Sequence, residues 1–110
     1  MINWDRVREL QRDIGSEEFN EIVAIFIDEV NETAQNLREG ETLQTLEMLL
    51  HSLKNSALNL GLSDLSEQCQ SAEIAARAGQ TDAVNLPMIL QLLDHSIEQF
   101  KAGLPAQTAA

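Results

Sequence analysis

The spacing of apolar residues constrains the fold of this chain more than any other feature. From Trp4 to Phe100, apolar side chains recur at intervals of three and four residues, and no segment alternates apolar with polar residues as a half-buried strand does. This spacing puts apolar side chains on one face of a helix, and such a face is stable when other helices cover it. The sequence therefore predicts an all-α fold.

Glycines and capping residues divide the pattern into five helices. Asn3 is a candidate N-cap of a short first helix, and Ser16 and Ser63 are candidate N-caps of the second and fourth helices. Glycine follows each of the first four helices, in the position where a left-handed backbone is common. The helices are expected at about 4–14, 17–40, 41–60, 64–79 and 86–102, with a polar loop at 80–85.

Helices of this number, joined by short loops, predict an up-down-up-down four-helix bundle with an additional short N-terminal helix. The 110 residues suffice for one core, so a single domain is expected over 1–103, followed by a flexible C-terminal tail at 104–110. The expected buried residues are Phe19, Ile22, Val23, Phe26, Val30, Ala34 and Leu37 in the second helix and Leu43, Leu46, Leu50, Leu53, Ala57 and Leu60 in the third.

Charge and cysteine content narrow the class of protein. The formal net charge of −11 disfavours binding to nucleic acid and to anionic lipid, because both repel an acidic surface. The single cysteine, Cys69, falls on an apolar stripe and is expected to be a small buried hydrophobe. With no signal-peptide pattern and no apolar stretch of membrane length, a cytoplasmic protein is the expectation. One chain is enough for a closed bundle, so a monomer is expected.

The two histidines differ in their helical surroundings. His95 lies on the polar face of the fifth helix, where a solvated histidine is the expected outcome. His51 follows the core residue Leu50 by one step, about 100° around the helix, so it lies at the exposed edge of the buried stripe. His51 is therefore the candidate for a chemical role.

The neighbours of His51 suit phosphoryl chemistry. Glu47 and Met48 lie one turn before it, and Lys54 and Asn55 lie one turn after it. A neutral imidazole nitrogen is nucleophilic near pH 7, and Lys54 is placed to offset the charge of a phosphoryl group. Glu47 either hydrogen-bonds the far ring nitrogen or is a solvated carboxylate. Spacing alone leaves open a boundary histidine with a chance lysine neighbour.

The segment 51–61, His-Ser-Leu-Lys-Asn-Ser-Ala-Leu-Asn-Leu-Gly, resembles the signature of histidine-containing phosphotransfer (HPt) domains. That signature reads His-x-Leu-Lys-Gly, followed by small residues, an apolar residue and glycine. Leu65, Cys69 and Glu73 look like the next helix of the family, and the resemblance is specific over about residues 46–79. It implies a four-helix bundle with the phosphorylated histidine exposed midway along one helix.

The resemblance also implies the roles of individual residues. His51 would take a phosphoryl group from a receiver-domain aspartate or a histidine kinase and pass it to another receiver aspartate. Lys54 would steady the phosphoryl group, and Gly61 would close the helix so that a hairpin can form. The implied docking surface around His51 comprises Glu47, Met48, Leu58 and Leu62.

The implied partners are response-regulator receiver domains and a sensor histidine kinase. The chain needs no cofactor of its own, because the Mg²⁺ required for transfer would lie in the receiver, and it has no nucleotide-binding domain that would make it a kinase. Asn55 departs from the family, which usually has glycine there. Asn55 either contacts the phosphoryl oxygens or restricts which receivers dock.

Two alternatives follow from the same residues. The chain could be a degenerate HPt module that binds receivers or kinases without being phosphorylated, and Asn55 leaves room for that interpretation. A carboxylate-rich metal-binding bundle is disfavoured, because inward-pointing Glu-x-x-His pairs are absent from the sequence.

Overall fold

The computed structural model describes residues 2–40 and 43–108, and the side chains of 2–40 and 45–105. Within this part of the chain there are five α-helices and a short 3₁₀ turn at Thr81–Ala83, which confirms the all-α prediction. The start of the third helix near residue 41 and the burial of Leu43 lie outside what is described. The helices are α1 (Trp4–Ile14), α2 (Ser16–Arg38), α3 (Leu43–Asn59), α4 (Ser63–Arg77) and α5 (Leu86–Thr108).

The four longer helices form a ring in chain order. α2 contacts α3, α3 contacts α4, α4 contacts α5, and α5 closes the ring on α2, with the most extensive contact between α3 and α4. α1 contacts α2, α3 and α5. This arrangement is a helical bundle with an added N-terminal helix, as predicted. None of the helices in the described ranges is both long and apolar enough to cross a membrane.

The core inside the ring is aliphatic, with Phe19 and Phe100 as its largest fully buried side chains. In α2, Ile22 and Phe26 are only partly buried, whereas Ile27, which was not predicted, is buried. The buried stripe follows steps of four and three residues along the whole helix, and Ile27 continues it from Val23. Cys69 is buried as expected, and burial raises the pKa of its thiol to about 12.

The predicted serine caps are wrong, although the first cap is correct. Asn3 Oδ1 accepts a hydrogen bond from the Arg6 amide at 3.2 Å, as an N-cap does. Ser16 and Ser63, in contrast, are the first helical residues of α2 and α4, and their caps are Gly15 and Leu62. Each chain segment turns into its helix one residue earlier than the serine pattern indicates.

α5 continues to Thr108, beyond Gly103, where the sequence predicted its end. Trp4 of α1 stacks on Phe100 with ring centroids 5.7 Å apart. The Trp4 ring also covers Gly103 so closely that a Cβ on Gly103 would lie 2.5 Å from Trp4 Cζ2. The packing of α1 therefore holds α5 in place at this point, and the helix includes Pro105. The flexibility of 104–110 stays a prediction.

The turn between α3 and α4 depends on Gly61. Its φ of +72° is in the left-handed region, and a Cβ there would lie 2.5 Å from the Asn3 backbone oxygen. The Asn3 amide donates a hydrogen bond to the Gly61 carbonyl at 2.6 Å. Gly61 thus ends α3, allows the turn into α4 and lets the N-terminal segment approach the turn.

We expect Gly61→Ala to destabilise the fold more than Gly79→Ala does. Gly79 has a similar φ of +77°, but a Cβ there would meet nothing within 4 Å. The left-handed conformation alone costs about 1–2 kcal/mol in either variant, and Gly61→Ala adds a backbone clash. Urea unfolding monitored by circular dichroism measures the difference. Equal losses in the two variants would show that the close approach of Asn3 contributes nothing.

Candidate functional site

The site is built around a carboxylate buried between two helices. The Glu73 side chain of α4 is only 5% exposed, and its two oxygens accept hydrogen bonds from three cationic or ionisable groups. Lys54 Nζ lies 3.0 Å from Oε1, and His51 Nδ1 and Arg77 Nη2 lie 2.8 and 3.0 Å from Oε2. A buried carboxylate is costly unless it is paired and hydrogen-bonded, and Glu73 is both.

The position of His51 follows from the packing of α3. Leu50 and Leu53 are fully buried, and they orient α3 so that His51 lies toward solvent beside α4. The His51 side chain is 53% exposed although its Nδ1 is bonded to a buried group. The ring is therefore fixed on one edge and accessible on the other.

The charge of Glu73 determines which nitrogen of the neutral His51 imidazole carries the proton. Burial raises the pKa of Glu73, but hydrogen bonds from Lys54 and His51, the charge of Lys54 and that of His51 when it is protonated outweigh burial and lower its pKa below 4.5. An ionised carboxylate only accepts hydrogen bonds, so the neutral His51 ring carries its proton on Nδ1. Nε2 then has the free lone pair, on a ring whose side chain is more than half exposed.

Arg77 and Glu47 form the rim of the site. Arg77 Nε donates to Glu47 Oε1 at 2.8 Å, so the guanidinium links a surface carboxylate of α3 to the buried Glu73 of α4. The Glu47 carboxylate raises the pKa of Arg77. A shallow depression of about 520 Å³ lies here, lined by Glu47, Met48, His51, Ser52, Glu73 and Arg77.

The structure brings most of the predicted site residues to one surface. Lys54 shares the face of His51 and is joined to it through Glu73. Met48, Asn55 and Leu58 are exposed along the same side of α3. Glu47 does not contact the far ring nitrogen of His51, because Glu73 occupies that position and Glu47 pairs with Arg77.

The expected exposure of Leu62 is wrong. Its side chain is 1% exposed, and its backbone pairs with Ile2 in an isolated antiparallel bridge. As the N-cap of α4, Leu62 turns inward to cover the end of the core beside α1. It is therefore part of the core and not of the exposed surface around His51.

Glu73 is named in the sequence prediction only through the family resemblance, and Arg77 is not predicted. One signal could have identified Glu73: it lies four residues after the buried Cys69, so a charged residue stands in a core position of α4. Arg77 follows one turn later. Their contacts with α3 join residues that are 19 to 30 positions apart, which spacing within one helix does not reveal.

Comparison with known proteins defines the class of this fold and site. The family model described as the Hpt domain matches residues 21–103, most of the chain, so the chain belongs to the Hpt domain family. It is similar to the phosphorelay protein LuxU of Vibrio harveyi, with 30% identity over 83 residues that cover 73% of each chain. No solved structure matches the chain.

Side chains that could ligate a metal do not cluster in the described ranges. No group of three or more His, Cys, Asp or Glu side chains there is placed to hold an ion. The site offers instead a nucleophilic nitrogen, a buried carboxylate behind it and two cations beside it.

The lowered pKa of Glu73 makes stability depend on pH. Its contribution is complete above the ordinary value of 4.5 and is lost as pH falls through the lower folded-state pKa, because the unfolded state takes up the proton first. We expect the stability difference between wild type and Glu73→Gln to shrink on acidification through this range. Urea unfolding at a series of pH values measures it, with the exposed Glu67→Gln of the same helix as control. A difference independent of pH would contradict this role of Glu73.

Proposed function

We propose that the chain is a phosphorelay intermediate of two-component signalling, with His51 as the phosphorylated residue. His51 accepts a phosphoryl group from a receiver aspartate or a sensor histidine kinase and passes it to another receiver aspartate. The observation that carries this proposal is the contact of Nδ1 with the ionised Glu73 on a side chain that is 53% exposed. In the neutral ring this contact leaves Nε2 unprotonated. Membership of the Hpt family and similarity to a phosphorelay protein support it.

The phosphoryl transfer proceeds without gain or loss of a proton. The Nε2 lone pair attacks phosphorus in line, the P–O bond of the aspartyl phosphate breaks, and its electrons leave with the aspartate carboxylate. The ring, which keeps its proton on Nδ1, becomes a positively charged phosphoimidazolium. Glu73 lies 2.8 Å from that proton and stabilises the developing charge. The reverse transfer uses the same contacts.

Lys54 and Asn55 follow His51 by one helical turn and border the space that the phosphoryl group would occupy. Lys54, whose side chain is 20% exposed, is positioned by Glu73 and supplies positive charge for the phosphoryl oxygens. The exposed Asn55 amide contributes a hydrogen bond to those oxygens or limits which receivers fit.

The docking surface for receivers and for the kinase is the exposed side of α3. Met48 and Leu58 lie there as exposed large apolar side chains on either side of His51, with Glu47 at the rim. Apart from His51, the charged residues of α3 are Glu47 and Lys54, whose opposite charges leave the helix with no net charge. The protein acts as a cytoplasmic monomer that binds no nucleic acid, and the Mg²⁺ for transfer lies in the receiver.

We expect His51→Gln to abolish phosphorylation. Incubating the chain with a phosphorylated receiver should give a label that is acid-labile and base-stable, as expected for phosphohistidine. His95→Gln is the matched control, because His95 lies on an exposed face of α5. Equal labelling of His51→Gln and wild type would place the site elsewhere. Binding of receivers without labelling of wild type would favour the degenerate interaction module.

Lys54→Ala is expected to slow transfer about tenfold, which is the effect of losing one hydrogen bond to a charged group. The helical signal should remain, since His51 and Arg77 still contact Glu73 in this variant. Rapid-quench transfer from a phosphorylated receiver and circular dichroism measure the two effects. Loss of helicity would make Lys54 a structural residue.

A further inference from the structure

Arg77 holds a position that phosphorylation of His51 would disturb. Its Nη2 and the His51 Nδ1 contact the same oxygen, Glu73 Oε2, so the guanidinium and the imidazole are close neighbours. Both side chains line the same open depression. A phosphoryl group on Nε2 would therefore enter a space that Arg77 already borders.

The charge of the site is balanced only before phosphorylation. Glu47 and Glu73 carry two negative charges, and Lys54 and Arg77 carry two positive charges. A phosphoryl group carries about −1.5 to −2 at pH 7, and the imidazolium ring offsets only one of these charges, so the site becomes net negative. The phosphoryl group would then lie near Glu47, one turn from His51 on the same helix, and its oxygens would compete with that carboxylate for a cation.

The two cations differ in their freedom to respond. Lys54 is 20% exposed, and its ammonium group pairs with the buried Glu73. Arg77 is 63% exposed, and Nε bonds to the surface carboxylate of Glu47. Exposed ion pairs of this kind contribute little to stability. Arg77 can therefore leave Glu47 at little cost while Lys54 stays on Glu73.

We propose that Arg77 is a second phosphoryl-binding residue and that Glu47 binds its guanidinium until His51 is phosphorylated. When His51 is phosphorylated, Arg77 Nε exchanges the Glu47 carboxylate for a phosphoryl oxygen, while Nη2 stays on Glu73. Lys54 remains with Glu73, which keeps the imidazole oriented. This inference rests on the proposed phosphorylation of His51 and adds a residue, on α4, that the sequence motif does not include.

The experiment uses the full chain and phosphoramidate, a small phosphoryl donor that needs no partner protein. The bond from His51 Nε2 to phosphorus forms as the P–N bond of the donor breaks, and ammonia leaves with its electron pair. ³¹P NMR then follows the pKa of the phosphoryl group on wild type, Arg77→Gln, Arg77→Lys and Glu47→Gln. Arg38→Gln is the control, because Arg38 pairs with Asp94 on other helices.

A guanidinium beside the phosphoryl group favours its dianion. Relative to wild type, we expect the phosphoryl pKa to rise by about one unit in Arg77→Gln and less in Arg77→Lys. Glu47→Gln should lower it or leave it unchanged, because Arg77 is freed, and Arg38→Gln should not alter it. The Arg77 Nε–H resonance should move on phosphorylation of wild type, since Nε changes its acceptor.

The outcomes separate this inference from the proposed function. An unlabelled wild type, or equal labelling of His51→Gln, overturns the phosphorylation of His51. A labelled wild type whose phosphoryl pKa is the same in Arg77→Gln and Arg38→Gln overturns the role of Arg77 alone. A stationary Nε–H resonance in the phosphorylated protein also contradicts the exchange of partners.

Discussion

A carboxylate buried between α3 and α4 is the constraint on which the rest of the site depends. Glu73 must be hydrogen-bonded because it is removed from water, and donors from both helices meet that demand. The same contacts determine which nitrogen of His51 is free and where the two cations lie. Under the proposed function, the imidazole is thus organised by a residue that the phosphoryl group need not touch.

The bundle provides that carboxylate with a rigid setting. Leu50 and Leu53 fix the face of α3, and Gly61 allows α4 to turn back against it. The Asn3 segment then closes the turn from outside. Leu50 and Leu53 neighbour His51 in the chain but face the core, and Gly61 and Asn3 lie at the end of the helix pair. Together they position the two helices whose facing side chains form the site.

Much of this arrangement is predictable from local spacing. Periods of three and four residues predict the helices, the exposed edge position of His51 and the burial of Cys69. Residues at these intervals lie on one face of the same helix. The contact of His51 with Glu73 joins residues 22 positions apart, and it depends on how two helices face each other. Leu62 was misplaced for a similar reason: whether a single apolar turn residue points inward depends on what covers it, here the segment at Ile2.

The buried Cys69 thiol can serve as a chemical probe of how often α4 separates from the other helices. The thiol lies one turn from Glu73 on α4, is fully buried, and has a pKa of about 12. A thiol reagent in solution reaches it only when α4 separates from its neighbours, and that separation would also release Glu73 from α3. The rate at which the Cys69 thiol reacts therefore measures how long the imidazole keeps its orientation between openings of the bundle.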